Sequence, residues 1–176
     1  MKTFLIFLLA NFVYLSVYSQ TGERFNYETR SDSRLCVITL KSEEPISNEA
    51  RGVISYFSDD QYKKWLIETF HSIVEKHISP EEMQKFIGYG KVPSVARIDI
   101  IFSTTGKVVK IRMHTRKENI EIFNEDDLYD LFSDLQQLEI DMSKFELQYP
   151  PHWVEGMEGV FTWGGPIKLN TKQKSD

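Results

Sequence analysis

The chain has 176 residues, a net charge of −5 at neutral pH, a single cysteine and a hydrophobic fraction of 41%. That length supports one domain with its own core, and one cysteine excludes an internal disulfide. The acidic balance argues against a general affinity for nucleic acid or anionic lipid.

The first nineteen residues have the pattern of an export leader. Lys2 supplies a positive start, Phe4 to Tyr18 is apolar except for Asn11 and Ser16, and Val17 and Ser19 are small residues of the kind accepted before a cleavage point. Cleavage would make Gln20 the first mature residue. Because Lys2 is the leader's only charge, the net charge would move from −5 to −6. The apolar run falls short of the roughly 20 residues that a spanning helix needs. The expected location is therefore periplasmic or secreted, with no stable membrane insertion after cleavage.

From Gln20 to Arg34 the sequence is polar and without period, which predicts a loose lead-in. Leu35 to Leu40 predicts a strand, and Cys36 within it reads as a buried apolar residue. Lys41 to Asn48 predicts a loop, since Pro45 lacks a donor. A second strand is expected at Gly52 to Phe57. Ser58, Asp59 and Asp60 then offer capping oxygens. In the helix that follows, Tyr62, Trp65, Leu66, Phe70, Ile73 and Val74 form one stripe, opposite Lys64, Glu68, His71 and Glu75. Ser79-Pro80-Glu81-Glu82 has the composition of a short helix start. Met83, Phe86 and Ile87 give it an apolar side, and Gly88 and Gly90 are expected to end it.

A hairpin comes next. Ala96, Ile98, Ile100 and Phe102 alternate with Arg97, Asp99, Ile101 and Ser103, Thr104 to Lys107 forms the turn, and Val109, Ile111 and Met113 point inward on the return. Lys110, Arg112 and His114 then point outward. Asn124 caps a third helix with the apolar stripe Leu128, Leu131, Phe132 and Leu135. Tyr149 to Trp153 is held out of helical geometry by Pro150 and Pro151. Gly159 to Trp163 predicts a last strand, which Gly164-Gly165-Pro166 is expected to break before pairing resumes at Ile167 to Leu169. Asn170 to Asp176 reads as a polar tail. Together these elements predict an α+β fold: a small antiparallel sheet around a central hairpin, packed against two amphipathic helices, in one domain spanning residues 35–169.

Chemistry-bearing motifs are scarce. Glu68 and His71 form one Glu-x-x-His pair on a solvent face, whereas a di-metal carboxylate bundle needs two such pairs. Glu125, Asp126 and Asp127 lack the alternation and central glycine of a calcium loop and suit a helix start instead. Nucleophile elbows and phosphate-binding loops are absent from the sequence. No metal or cofactor is expected, and no catalytic residue. The aromatic group Tyr149, His152, Trp153, Phe161 and Trp163 leaves two readings open: a platform for a sugar or an extended peptide, or the last part of the core. Trp153 is the member expected to be exposed.

The hairpin Ala96 to Met113, the helix Leu128 to Leu138 and the closing Gly165-Pro166-Ile167-Lys168-Leu169 together resemble the C-terminal domains of TonB proteins. That resemblance implies a periplasmic domain that engages partners; the region before Ser94 has no counterpart in it. The whole chain also resembles small exported bacterial domains of unknown function, which implies an envelope location and no particular activity. These readings lead to an expected function: a non-enzymatic interaction module for a protein or peptide of the cell envelope. Strand addition along an open Val108 to His114 edge is its expected mode. Lys110, Arg112, His114 and Trp153 are the candidate contact residues. The alternatives are a glycan-binding protein or hydrolase using the aromatic C-terminal stretch, and an immunity-type inhibitor.

Overall fold

The computed structural model describes residues 19–21, 23–29, 34–47, 50–86, 94–154 and 156–168. Most of the expected leader, the glycines at 88 and 90, and the polar tail lie outside them. The fold is α+β. A seven-stranded sheet runs in the order β1-β2-β3-β7-β6-β9-β4, with a separate two-stranded ribbon of β5 and β8. The strands are β1 (Ser19–Thr21), β2 (Phe25–Thr29), β3 (Leu35–Leu40), β4 (Arg51–Gly52), β5 (Ile54–Phe57), β6 (Ser94–Ser103), β7 (Val108–Arg116), β8 (Phe145–Gln148) and β9 (Gly159–Lys168). All pairings are antiparallel except that of β4 with β9.

The helices start where their caps predict. In α1 (Asp60–His77) the Asp59 carboxylate accepts from the N–H groups of Gln61 and Tyr62. In α2 (Pro80–Met83) Ser79 and Glu82 complete a reciprocal capping box. In α3 (Glu125–Gln136) Asn124 accepts from Asp126 N–H, with three acids in the first turn. The stripes Leu66-Phe70-Val74 and Leu128-Leu131-Phe132-Leu135 are buried in one cluster with Ile98, Ile100, Ile111 and Met113. Trp65, expected in the first stripe, is instead 47% exposed and stacks on Tyr62 at 5.1 Å. Its position puts it on the shoulder of the stripe, one residue away from the Leu66 line.

The hairpin sits at the centre. Gly106 turns it with φ 89°, and a side chain there would collide with the Ile140 carbonyl. Ile98 faces Met113 and Ile100 faces Ile111, as the alternation requires. Ile101 faces Lys110 but Phe102 faces Val108, so Val109 is the extra residue of a bulge on β7, and Val108 packs against the core in place of the expected Val109.

Four further expectations are corrected. The polar lead-in supplies β1 and β2, and Phe25 on β2 is fully buried against Phe132. The single strand expected at Gly52 to Phe57 is divided between β4 and β5, which belong to different sheets. β9 is continuous through Gly164-Gly165-Pro166. Gly164 lies so close to β6 that a Cβ would collide with the Ile98 carbonyl oxygen, so the glycine permits the pairing. Ile111 N–H points away from β6, which by alternation leaves Arg97 and Pro166 as a pair without mutual hydrogen bonds. The ring nitrogen of Pro166 therefore faces the outer side of β9, where no ladder bond is lost. The fourth correction concerns β7, which has a neighbour on each side.

Candidate binding face

Strand β7 is interior, flanked by β3 and β6, so the Val108 to His114 segment is not the open edge that strand addition requires. Its side away from β6 is occupied in three ways. Met113 to Arg116 pair with Ile38 to Leu35 of β3. Lys107 bridges to Glu139 at the opposite end. Between them, Ile111 N–H donates to Glu43 Oε1 at 3.0 Å. The Glu43 carboxylate thus substitutes for a strand where β3 diverges. Gln136 of α3 donates to the same oxygen at 3.3 Å, while Oε2 is buried with no hydrogen-bond partner among the described residues. Burial pushes the Glu43 carboxyl above its ordinary range, opposed by those two hydrogen bonds and by the charges of Lys110 and Arg112. From Phe161 onward, no described strand flanks the outer side of β9.

The candidate residues Lys110, Arg112 and His114 share the sheet face opposite the helices, because positions 110, 112 and 114 alternate with the buried Ile111 and Met113. β6 adds Arg97, directly opposite His114, and Asp99, opposite Arg112. Asp99 is the junction: Arg97 Nε donates to Oδ1 at 2.7 Å, and His114 Nε2 lies 3.3 Å from Oδ2. The hydrogen bond to His114, followed by that from Arg97, holds the Asp99 carboxyl below its ordinary range. The side chains of Arg97, His114 and Asp99 are 50%, 28% and 21% exposed, so the group is open to a ligand while its imidazole is oriented. Lys110 and Arg112 form no salt bridge with a described residue. Alternation along β6 put Arg97 and Asp99 on the outer face, but nothing in the sequence singled them out there, and Glu43 carried no local signal at all.

Trp153 is elsewhere. Its ring stacks on Tyr149 at 4.5 Å and leans over Gly159, where a Cβ would be 2.9 Å from the indole. His152 is exposed. Phe161 and Trp163 belong to the core side: Phe161 stacks on Phe102, and Trp163 meets Phe70 edge-on at 5.7 Å. Tyr149 is 43% exposed, and nearby on the ribbon Ile54 and Tyr56 are 55% and 54% exposed.

No group of three or more metal-ligating side chains occurs among the described residues. No described helix is long and apolar enough to cross a membrane. Cys36 is buried in the sheet, and burial pushes its thiol up to about 11. The outward face can therefore offer guanidinium, ammonium and imidazole donors on a rigid sheet, held in place by ladder bonds and by the core beneath.

A mostly antiparallel sheet with helices packed on one face and charged side chains on the other defines the class of fold. No protein-family model matches the chain, and no curated protein matches it. Among solved structures, it is similar to a DUF5043 family protein from Bacteroides uniformis, known from a crystal structure. The TM-score is 0.51 at 12% identity, covering 89% of this chain and 94% of that one. At that identity the likeness concerns the fold, and it is consistent with a domain of unknown function.

Proposed function

We propose that the protein is an exported, non-enzymatic module that binds a protein or peptide partner in the cell envelope through the outward face of its main sheet. The observation that carries this reading is that Lys110, Arg112 and His114 lie side by side with Arg97 on the face opposite the helices. Charged side chains ordered over a sheet face away from the helices suit recognition of a partner surface. The leader pattern of Lys2 and Phe4 to Tyr18 supports the envelope location. The hairpin, α3 and Gly-Pro strand that carry the TonB-like resemblance occur in that order from Ser94 to Lys168 and support a partner-binding role. Docking across the face replaces strand addition at β7, since both sides of that strand are engaged.

The test is photo-crosslinking in the producing bacterium, with a benzophenone amino acid at position 112 or, as a control, at position 64 on α1. The expected result is a discrete protein adduct from 112 and none from 64. Equal labelling at both sites, or none at 112 across growth conditions, would overturn the reading. N-terminal sequencing of the mature chain is expected to begin at Gln20.

The exposed Tyr149 and its stack with Trp153 favour a second reading, a carbohydrate platform at the ribbon end. It predicts glycan-array binding that disappears in Trp153→Ala with the melting temperature retained.

A further inference from the structure

The proposed binding face has a chemical periodicity that specifies its partner further. We infer that it recognises an extended polypeptide segment carrying carboxylates at every second residue, laid along β7. The inference rests on the interaction-module reading and names the partner's chemistry.

On β7 the outward positions are Lys110, Arg112, His114 and Arg116, with alternation broken by no acid. Two residues along a strand cover about 6.8 Å, so these donor side chains repeat at the interval at which an extended peptide presents its own alternate side chains. Arg97 lies opposite His114 and widens the row at its middle. The acids facing this row are Glu28 and Asp99 on the strands and Glu43 beside β7, and Asp99 is already held by Arg97 and His114. Lys110, Arg112, Arg116 and Arg97 therefore outnumber those acids on a chain whose net charge is −5. The local excess is opposite in sign to the molecule, and a short acidic segment satisfies it without bringing a long polyanion against the remaining acidic surface. Single-stranded nucleic acid is disfavoured for a second reason. The outward neighbours of the row, Leu35, Val37, Asp99 and Ile101, and Thr162 and Pro166 one strand beyond, include no aromatic ring on which a base could stack.

The test uses the mature chain and four labelled probes in fluorescence anisotropy. Two are synthetic peptides, one alternating Asp and Thr and one of the same composition with its Asp residues contiguous. The others are a heparin oligosaccharide and a thymidine oligonucleotide. The alternating peptide is expected to bind most tightly, at least about fivefold better than the contiguous one, and to weaken as salt is raised. The double substitution Lys110→Gln/Arg112→Gln is expected to weaken binding about a hundredfold, with each removed cation responsible for roughly tenfold. Gln is used because Glu43 lies within electrostatic reach of both sites. Arg97→Gln, on the neighbouring strand, is a second variant should the double one melt early. Lys64→Gln on α1, exposed on the helical side, is expected to change nothing. Equal binding of the two peptides, binding unchanged in both β7 and β6 variants, preference for heparin or oligonucleotide, or no peptide binding at low salt would each overturn the inference. A partner crosslinked at 112 together with peptide failure removes this inference alone; failure at both removes the interaction-module reading as well.

Discussion

Glu43 provides the sharpest test of how the sheet is completed. Replacing it with alanine removes the acceptor of Ile111 N–H and of Gln136 Nε2. The Gln136 bond is exposed, so its amide can turn to water and little is lost there. Ile111 is fully buried, and its N–H sits in the gap between β3 and the Lys107–Glu139 bridge. A buried donor left without a partner costs about 1–3 kcal/mol, or about 2–4 °C of melting temperature per kcal/mol for a chain of this size. Glu43→Gln preserves the Oε1 acceptor and removes the charge that burial disfavours, so it is expected to be no less stable than the native chain at neutral pH. The pH dependence has a definite sign. The Glu43 carboxyl is raised in the folded protein, so its contribution is complete below the ordinary carboxyl range. It is lost as pH rises through the raised folded value. The stability of Glu43→Gln relative to the native chain should therefore rise between acid and neutral pH. Urea denaturation at pH 4, 5.5 and 7, with the slope compared between variants, measures all of this. A loss in Glu43→Gln as large as in Glu43→Ala would refute the reasoning, as would an alanine variant within about 0.5 kcal/mol of native.

Phe132→Ala empties a fully buried site beneath Phe25 and is expected to cost about 3–5 kcal/mol by thermal or urea unfolding. Cys36, buried and with its thiol raised to about 11, is expected to resist alkylation by iodoacetamide at pH 8 until denaturant is added; rapid labelling of the folded chain would contradict its burial. Asp134 joins α1 to α3 through Lys76 at 2.6 Å and His77 at 2.7 Å, bonds that hold its carboxyl below the ordinary range. The stability it adds is present above that range and lost as pH falls through the lowered value. Asp134→Asn should thus cost at most about 1 kcal/mol at pH 7, given its exposure, and nothing at pH 2.

Period and capping chemistry are local, and they made much of this fold legible in the amino-acid order. The Leu66-Phe70-Val74 and Leu128-Leu131-Phe132-Leu135 stripes, the caps at Asp59, Ser79 and Asn124, and the hairpin around Gly106 all follow from residues within a few positions of one another. So does the outward direction of Lys110, Arg112 and His114, because alternation along a strand depends on nothing beyond it. Neighbour identity is non-local and was not legible. Nothing near Val108 announces that β3 will cover one end of β7, or that the Glu43 side chain will reach across 68 positions of sequence to seal the gap. Phe25 looks like a stray apolar residue in a polar stretch until Phe132 is placed beneath it. The Gly164-Gly165-Pro166 run looks like a break until β6 is seen to demand Gly164 and to leave the proline's nitrogen on an unpaired side. By sequence alone Trp153 ranks with Lys110, Arg112 and His114 as a contact residue. Only the packing on Tyr149 and Gly159 separates it from them. The amino-acid order by itself determined which segments form elements and which way their side chains point. Tertiary structure decided which strand edges remain, because pairing is chosen by surfaces that meet only after the chain has folded.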